Sequence, residues 1–135
     1  MILQKDLRLG DLVQITVDLP EYKRGDIFVV IDISEVYIGL RSPSESDCRP
    51  DMYTIRDHIE GIHLTPEILE KNGWEQEYYA PIIYGHIGHD IEISFLQTSK
   101  RCSVLLNDIS LCEIQYVHEL QHILWALGED ANLKI

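Results

Sequence analysis

The chain has 135 residues, 45 % of them hydrophobic, and its 11 Lys and Arg against 23 Asp and Glu leave a formal net charge of −12. This length suits one globular domain or two small lobes, whose core needs neither a disulfide nor a metal ion to fold. Because Lys and Arg supply most of the affinity for phosphates, the acidic balance disfavours direct binding to nucleic acid or to an anionic membrane.

Short β-strands separated by tight turns are predicted over residues 1–63. Partial alternation and β-branched composition indicate strands at 12–17, 27–33, 36–40, 52–55 and 59–62. The segments 18–25 and 42–51 contain Pro together with Gly or Ser, and are predicted to be exposed loops. So many short strands favour a small, strongly curved antiparallel sheet, and their order resembles an SH3-like β-barrel, a fold that hosts many unrelated functions.

A short helix is predicted at residues 66–71, with both ends well specified. The Thr65 hydroxyl is a good N-cap, because it accepts a bond from a free backbone N–H of the first turn. Pro66 occupies the first helical position, where its missing N–H costs nothing. Gly73 is suited to the left-handed conformation that ends a helix, and Trp74 is expected to fold back over Leu69.

A second antiparallel sheet and a final helix are predicted in the rest of the chain. The strands are expected at 78–84, 90–96, 102–106 and 111–114, with 107–110 as a hairpin turn. Apolar residues at helical spacing predict a helix over 115–127 that stops at Gly128, followed by a fraying end at 129–135. We expect an α+β protein of two lobes, 1–63 and 64–135, which could share one core, with the β-meander packed on the C-terminal helix.

Residues 118–122 of the final helix read HELQH and match the HExxH pattern of zinc hydrolases. Two histidines four residues apart can hold Zn²⁺ on one helix face, while the glutamate activates the bound water. A catalytic zinc ion needs a third protein ligand, but the only carboxylates after His122 are Glu129 and Asp130, at or beyond the expected helix end. A helical wheel places His118 and His122 opposite the apolar side, so we expect both to face solvent or a partner. A zinc hydrolase that uses His118 and His122 as metal ligands remains an alternative.

Trp125 lies on the same side of the helical wheel as the two histidines. An exposed Trp beside histidines is typical of a contact surface for a partner or a second copy of the chain. We therefore predict that His118, His122 and Trp125 form a partner contact. His86 and His89 are interpreted as polar loop residues, with a metal site made by all four histidines as the alternative.

The cysteines and the remaining motifs point to no specific chemistry. Cys48, Cys102 and Cys112 are an odd number without metal-ligand spacing, which is typical of reduced thiols. The N-terminus has no apolar run of signal-peptide length, and no run approaches the roughly 20 residues that cross a bilayer. With no phosphate-binding glycine loop, nucleophile elbow or redox Cys motif, we expect a cytoplasmic protein without catalytic residues or a cofactor.

The acidic residues are spread along the chain. Residues 1–60 hold 7 basic and 12 acidic groups, net −5, and residues 61–135 hold 4 basic and 11 acidic groups, net −7. A dispersed negative surface is typical of a soluble domain. If carboxylates shared one face with the spacing of phosphates, the chain could act as an acidic DNA mimic that inhibits a nucleic-acid-binding host protein.

Three segments carry a resemblance to a family. Residues 7–13 (LRLGDLV), 61–74 (GIHLTPEILEKNGW) and 116–128, which begins YVHELQH and ends ALG, resemble small uncharacterised proteins encoded by prophages and mobile elements of gut anaerobic bacteria. In those relatives the position of His122 is usually Asn and that of Glu119 often Gln, so the resemblance implies that HExxH is accidental here. The resemblance implies a genetic setting and no mechanism. We therefore expect a non-enzymatic accessory or interaction module of a mobile element, which binds an unidentified host or phage protein or a second copy of itself.

Overall fold

A computed structural model describes residues 6–44, 49–77, 80–86, 90–96 and 100–135, with the backbone alone at 80 and 81. The chain divides into two compact units, Met1–Ile62 and His63–Ile135, one residue from the boundary expected from the sequence. Each unit contains a five-stranded antiparallel sheet, and a helix lies at the C-terminal end of the second, so the α+β class is confirmed.

The first unit is a sheet of five short strands in the order β4-β3-β2-β1-β5. The strands are β1 (Leu12–Ile15), β2 (Ile27–Ile33), β3 (Ile38–Arg41), β4 (Met52–Thr54) and β5 (Ile59–Gly61), and a 3₁₀ turn, Arg56–His58, precedes β5. All four pairings are antiparallel, and β4 and β5 form the two edges. Within the part of the chain that the structure describes, no pairing joins β4 to β5, so the sheet is open and a closed barrel is not observed.

One face of this sheet carries the core of the first unit. Eight apolar side chains with at most 6 % exposure form it: Leu7, Val13, Ile15, Phe28, Val30, Ile38, Leu40 and Ile59. Leu19 and Tyr22, from the predicted loop 18–25, pack against this core. The loop is therefore anchored at those two positions, although most of its side chains are exposed.

In the second unit, the short helix α1 (Pro66–Lys71) has the ends that the sequence predicts. The Ile68 N–H donates to Thr65 Oγ1 at 3.3 Å, which is the expected N-cap. Gly73 has φ +86°, and the Trp74 N–H donates to the Leu69 carbonyl at 3.0 Å. Trp74 is 2 % exposed, so the chain does fold back over the helix.

The second sheet has the order β10-β9-β8-β7-β6. Its strands are β6 (Glu75–Glu77), β7 (Ala80–Gly85), β8 (Ile91–Phe95), β9 (Cys102–Leu106) and β10 (Ile109–Ile114). The hairpin turn has two residues, Asn107 and Asp108, both with positive φ, where the sequence predicted four. β10 therefore starts two residues earlier than expected. The predicted strand at 78–84 begins on residues 78 and 79, which lie outside the described part.

The final helix α2 (Val117–Ala126) begins two residues later than predicted. Tyr116 is extended, with φ −119° and ψ 153°, and forms an isolated antiparallel bridge with His63, so the chain is still in a β conformation there. Gly128 has φ +73° and ends the helix region as predicted. Neither helix that the structure describes is long and apolar enough to cross a membrane.

Candidate functional site

The three residues predicted to form a partner contact have different surroundings in the structure. Trp125 is 38 % exposed and His122 is half-buried, but His118 is only 3 % exposed. The expectation that His118 faces solvent or a partner is therefore wrong. Among the three, the accessible surface belongs to Trp125 and part of His122.

His118 is buried because α2 is covered on more than its apolar side. The Tyr116 ring stacks on the His118 imidazole, with centroids 5.7 Å apart and an interplanar angle of 14°. The C-terminal segment also returns along the helix, where Gln121 Nε2 donates to the Ala131 carbonyl at 3.2 Å. A helical wheel treats the helix as packed on one layer, and it cannot detect coverage by a neighbouring turn or a returning tail.

The C-terminal segment is held in place instead of fraying as expected. Lys134 donates its backbone N–H to Asn72 Oδ1 at 2.7 Å, and Asn72 Nδ2 donates to the Lys134 carbonyl at 2.8 Å. Ala131 is 3 % exposed, and the Glu129 N–H donates to the Leu124 carbonyl at 2.8 Å. These bonds fix the tail beside the end of α1.

Five rings follow one another from the start to the end of α2, and we call them the ring row. Successive centroids lie 5.1, 5.7, 5.7 and 5.9 Å apart, in the order His63, Tyr116, His118, His122 and Trp125. The last pair is nearly parallel, with an angle of 16° between the His122 and Trp125 rings. The imidazole therefore supports one face of the Trp125 indole and limits its freedom.

Glu119, the glutamate of HExxH, has a structural role at the helix start. Its Oε1 accepts the backbone N–H groups of Gln115 and Tyr116, both at 3.1 Å. This is the glutamate half of a capping box, which satisfies donors that the helix cannot. One oxygen of the carboxylate, Oε1, is thus engaged with the backbone.

Among the described residues, the two histidines of the motif are not joined by a third side chain that could hold zinc. The His118 and His122 rings meet edge to face, with centroids 5.7 Å apart. Across the residues that the structure describes, no group of three His, Cys, Asp or Glu side chains is arranged to hold a metal ion. The described residues therefore do not supply the third protein ligand that a catalytic zinc ion requires.

His86, the described member of the other histidine pair, lies beside a cavity of about 370 Å³ in the second unit. Its ring packs against Trp74 with centroids 5.6 Å apart. Four carboxylates line the same cavity: Glu75, Glu77, Asp90 and Glu92. This local concentration of acidic residues was not apparent from the dispersed charge of the sequence. His89 lies outside the described residues.

The two described cysteines are poor nucleophiles at neutral pH. Cys102 is buried in β9, and burial raises the pKa of its thiol to about 11. Cys112 is exposed, and its pKa is raised first by partial burial and then by the negative charge of Glu119. Because the thiolate is the reactive form, neither residue has the lowered pKa of a catalytic cysteine. Cys48 lies outside the described residues.

A groove on the first unit was missed by the sequence analysis. Its volume is about 280 Å³, and we call it the tyrosine groove; it is lined by Leu19, Pro20, Glu21, Tyr22, Asp51, Met52 and Tyr53. The residues come from the loop before β2 and from the start of β4. The signal available in the sequence was a tyrosine with a carboxylate one or two residues before it in each of two segments, which only the fold brings together.

No family model, curated protein or solved structure matches the chain. Its function therefore rests on what the described side chains can bind.

Proposed function

We propose that the protein is a non-enzymatic interaction module, and that the end of α2 around Trp125 contacts a protein partner. The observation that carries this proposal is an indole that is 38 % exposed and stacked on His122, followed by Leu127 at 42 % exposure. Exposed apolar side chains in one short stretch are typical of contact surfaces, and Trp is enriched among the residues that dominate binding energy. The partner contact now comprises His122, Trp125 and Leu127, without His118.

Two further observations support a binding role over a catalytic one. Glu119 caps α2 through two backbone N–H groups, so the HExxH sequence has a structural explanation. The described thiols have raised pKa values, which opposes nucleophilic catalysis.

The setting of the proposal is a prophage or mobile element, and it rests on the resemblance of residues 7–13, 61–74 and 116–128. The partner is an unidentified host or phage protein, or a second copy of the chain, with no direct contact to nucleic acid or membrane. Free cysteines support a cytoplasmic location. The strand order and the 3₁₀ turn before β5 support an SH3-like arrangement of the first unit.

The test is to replace Trp125 and measure binding and folding separately. Trp125→Ala should abolish capture of a partner from host lysate, or reduce self-association in analytical ultracentrifugation. Its free energy of unfolding should change by only about 1 kcal/mol, because the indole already contacts water. Leu96→Ala is the matched control, since Leu96 has the same 38 % exposure and belongs to the same unit. Equal effects of both substitutions on binding, or none of either, would count against the proposal.

A further inference from the structure

We infer that the tyrosine groove binds an extended peptide segment in which apolar side chains flank a Lys or Arg. This rests on the proposed function as an interaction module, and it names a partner class at a surface on the other unit. The groove offers apolar walls, a small volume and two carboxylates. Each of these properties selects against other occupants.

The walls of the groove are held in position before any partner binds. Tyr22 meets Phe28 edge to face, with ring centroids 5.1 Å apart and an angle of 84°. The turn that presents Tyr22 is closed by two backbone hydrogen bonds with Leu19, at 2.8 and 3.3 Å. A tyrosine already supported in this way loses little conformational freedom when a partner packs on it.

Tyr53 lines the groove from the edge strand β4. It pairs with Gly39 of β3, and a Cβ atom on Gly39 would lie 3.2 Å from Tyr53 Cε1. The Tyr53 ring therefore packs over Gly39. One face of the ring covers the glycine backbone, and the other face is open. Tyr53 is 58 % exposed, so most of its apolar surface is free for contact.

The volume indicates side chains of a peptide as the occupant. Pockets that enclose drug-sized ligands measure roughly 300–1,000 Å³ and bury most of the ligand. The tyrosine groove, at about 280 Å³, lies just below that range and is open to solvent. It has room for one or two apolar side chains while the rest of an extended segment runs along the surface.

The charge of the groove indicates a basic residue beside those apolar side chains. Glu21 and Asp51 both line it, and its described lining includes no Lys or Arg. The Asp51 carboxylate is fixed in orientation, because its Oδ2 accepts the Ser42 N–H at 2.8 Å. The first unit as a whole carries 7 basic and 12 acidic residues, which leaves it with a net negative charge. Such complementarity favours encounter with cationic segments and disfavours anionic ones.

The experiment is a titration of the full ¹⁵N-labelled chain with a defined peptide, acetyl-Gly-Leu-Ser-Arg-Ser-Leu-Gly-amide, whose two Leu and Arg share one face when the peptide is extended. We expect saturable chemical-shift changes centred on residues 19–22 and 51–53. Replacing the peptide's Arg by Glu, or both Leu by Ser, should weaken binding at least about tenfold. Tyr53→Ala should cause a similar loss, whereas Tyr37→Ala, a 55 % exposed tyrosine outside the groove, should not.

Charge reversal gives a second variant that does not disturb packing, because Glu21 is exposed. Glu21→Lys should weaken binding of the Arg peptide and strengthen binding of the peptide in which Glu replaces Arg. A substitution that only disturbed the fold would not strengthen either one. The inference is overturned if no saturable change appears up to about 2 mM peptide, a limit that corresponds to very weak affinity. It is also overturned if both peptides bind equally, or if shifts in the groove depend on protein concentration alone, which would identify a second copy as occupant. If the peptide does not bind but capture of a partner still depends on Trp125, only the proposal for the tyrosine groove is refuted. If the peptide binds but capture does not depend on Trp125, only the proposed contact at α2 is refuted.

Discussion

Replacing Glu119 tests whether the HExxH sequence is a structural element of α2. Glu119→Ala removes the acceptor of two backbone hydrogen bonds of 3.1 Å and leaves the N–H groups of Gln115 and Tyr116 without it. Both bonds are partly buried, so water replaces the acceptor incompletely. Loss of a helix cap costs about 0.5–2 kcal/mol, and with two donors affected we expect a loss of about 1.5 kcal/mol in the free energy of unfolding.

Urea unfolding followed by tryptophan fluorescence measures this loss. Trp74 and Trp125 are the only tryptophans in the chain and both belong to the second unit, so the signal reports on the unit that contains α2. Glu119→Gln is the matched control, because its amide oxygen can still accept the two N–H groups. It should lose only the interaction of the carboxylate charge with the helix dipole, about 0.3–1 kcal/mol. The expected order of decreasing stability is wild type, then Glu119→Gln, then Glu119→Ala. The slope of the unfolding free energy against urea concentration should be the same for all three.

The Cys112 thiol provides an independent readout of the same carboxylate. The Glu119 charge is the second cause of its raised pKa, after burial. Both substitutions should therefore lower the Cys112 pKa, seen as faster alkylation at a given pH, and leave it above the ordinary 9.0 because burial persists. An unfolding free energy for Glu119→Ala within about 0.5 kcal/mol of wild type would refute the capping role.

Two other predictions concern the turn after α1 and the thiols. Gly73→Ala should lower the free energy of unfolding by about 1–2 kcal/mol, since φ is +86° and the added Cβ would lie 3.0 Å from His86 Nε2. Gly128 has a similar φ of +73°, but a Cβ atom added there would have nothing within 4 Å. Gly128→Ala should therefore lower the free energy of unfolding by less in the same urea assay, and the difference measures the effect of the contact with His86. Equal losses for the two substitutions would contradict this reasoning. Iodoacetamide followed by mass spectrometry should modify Cys112 in the folded protein and Cys102 only after unfolding, because Cys102 is buried and its pKa is about 11. Modification of Cys102 at the rate of Cys112 without denaturant would disprove its burial.

Features whose causes lie within a few residues were predictable from the sequence. The helix α1 has the bounds that its cap, its first-position Pro66 and Gly73 specify, because each acts on neighbouring backbone groups. The strand bounds of the first sheet were also close, because its apolar, β-branched runs are flanked by turn residues. In contrast β6, which reads EQE, has no apolar pattern, and its strand conformation depends on pairing with β7.

The composition of the candidate sites depended on contacts between distant residues. His118 lies on the polar side of its own helix, yet Tyr116 stacks on it, and the tail beyond Gly128 bonds to Gln121 of the same helix. The tyrosine groove joins positions 19–22 and 51–53, which no local pattern connects. The sequence by itself determined the α+β class, α1 and the glycine ends of both helices, since backbone sterics and capping are local. Only the tertiary structure decided which rings remain exposed, because the burial of a side chain depends on the segments that pack over it.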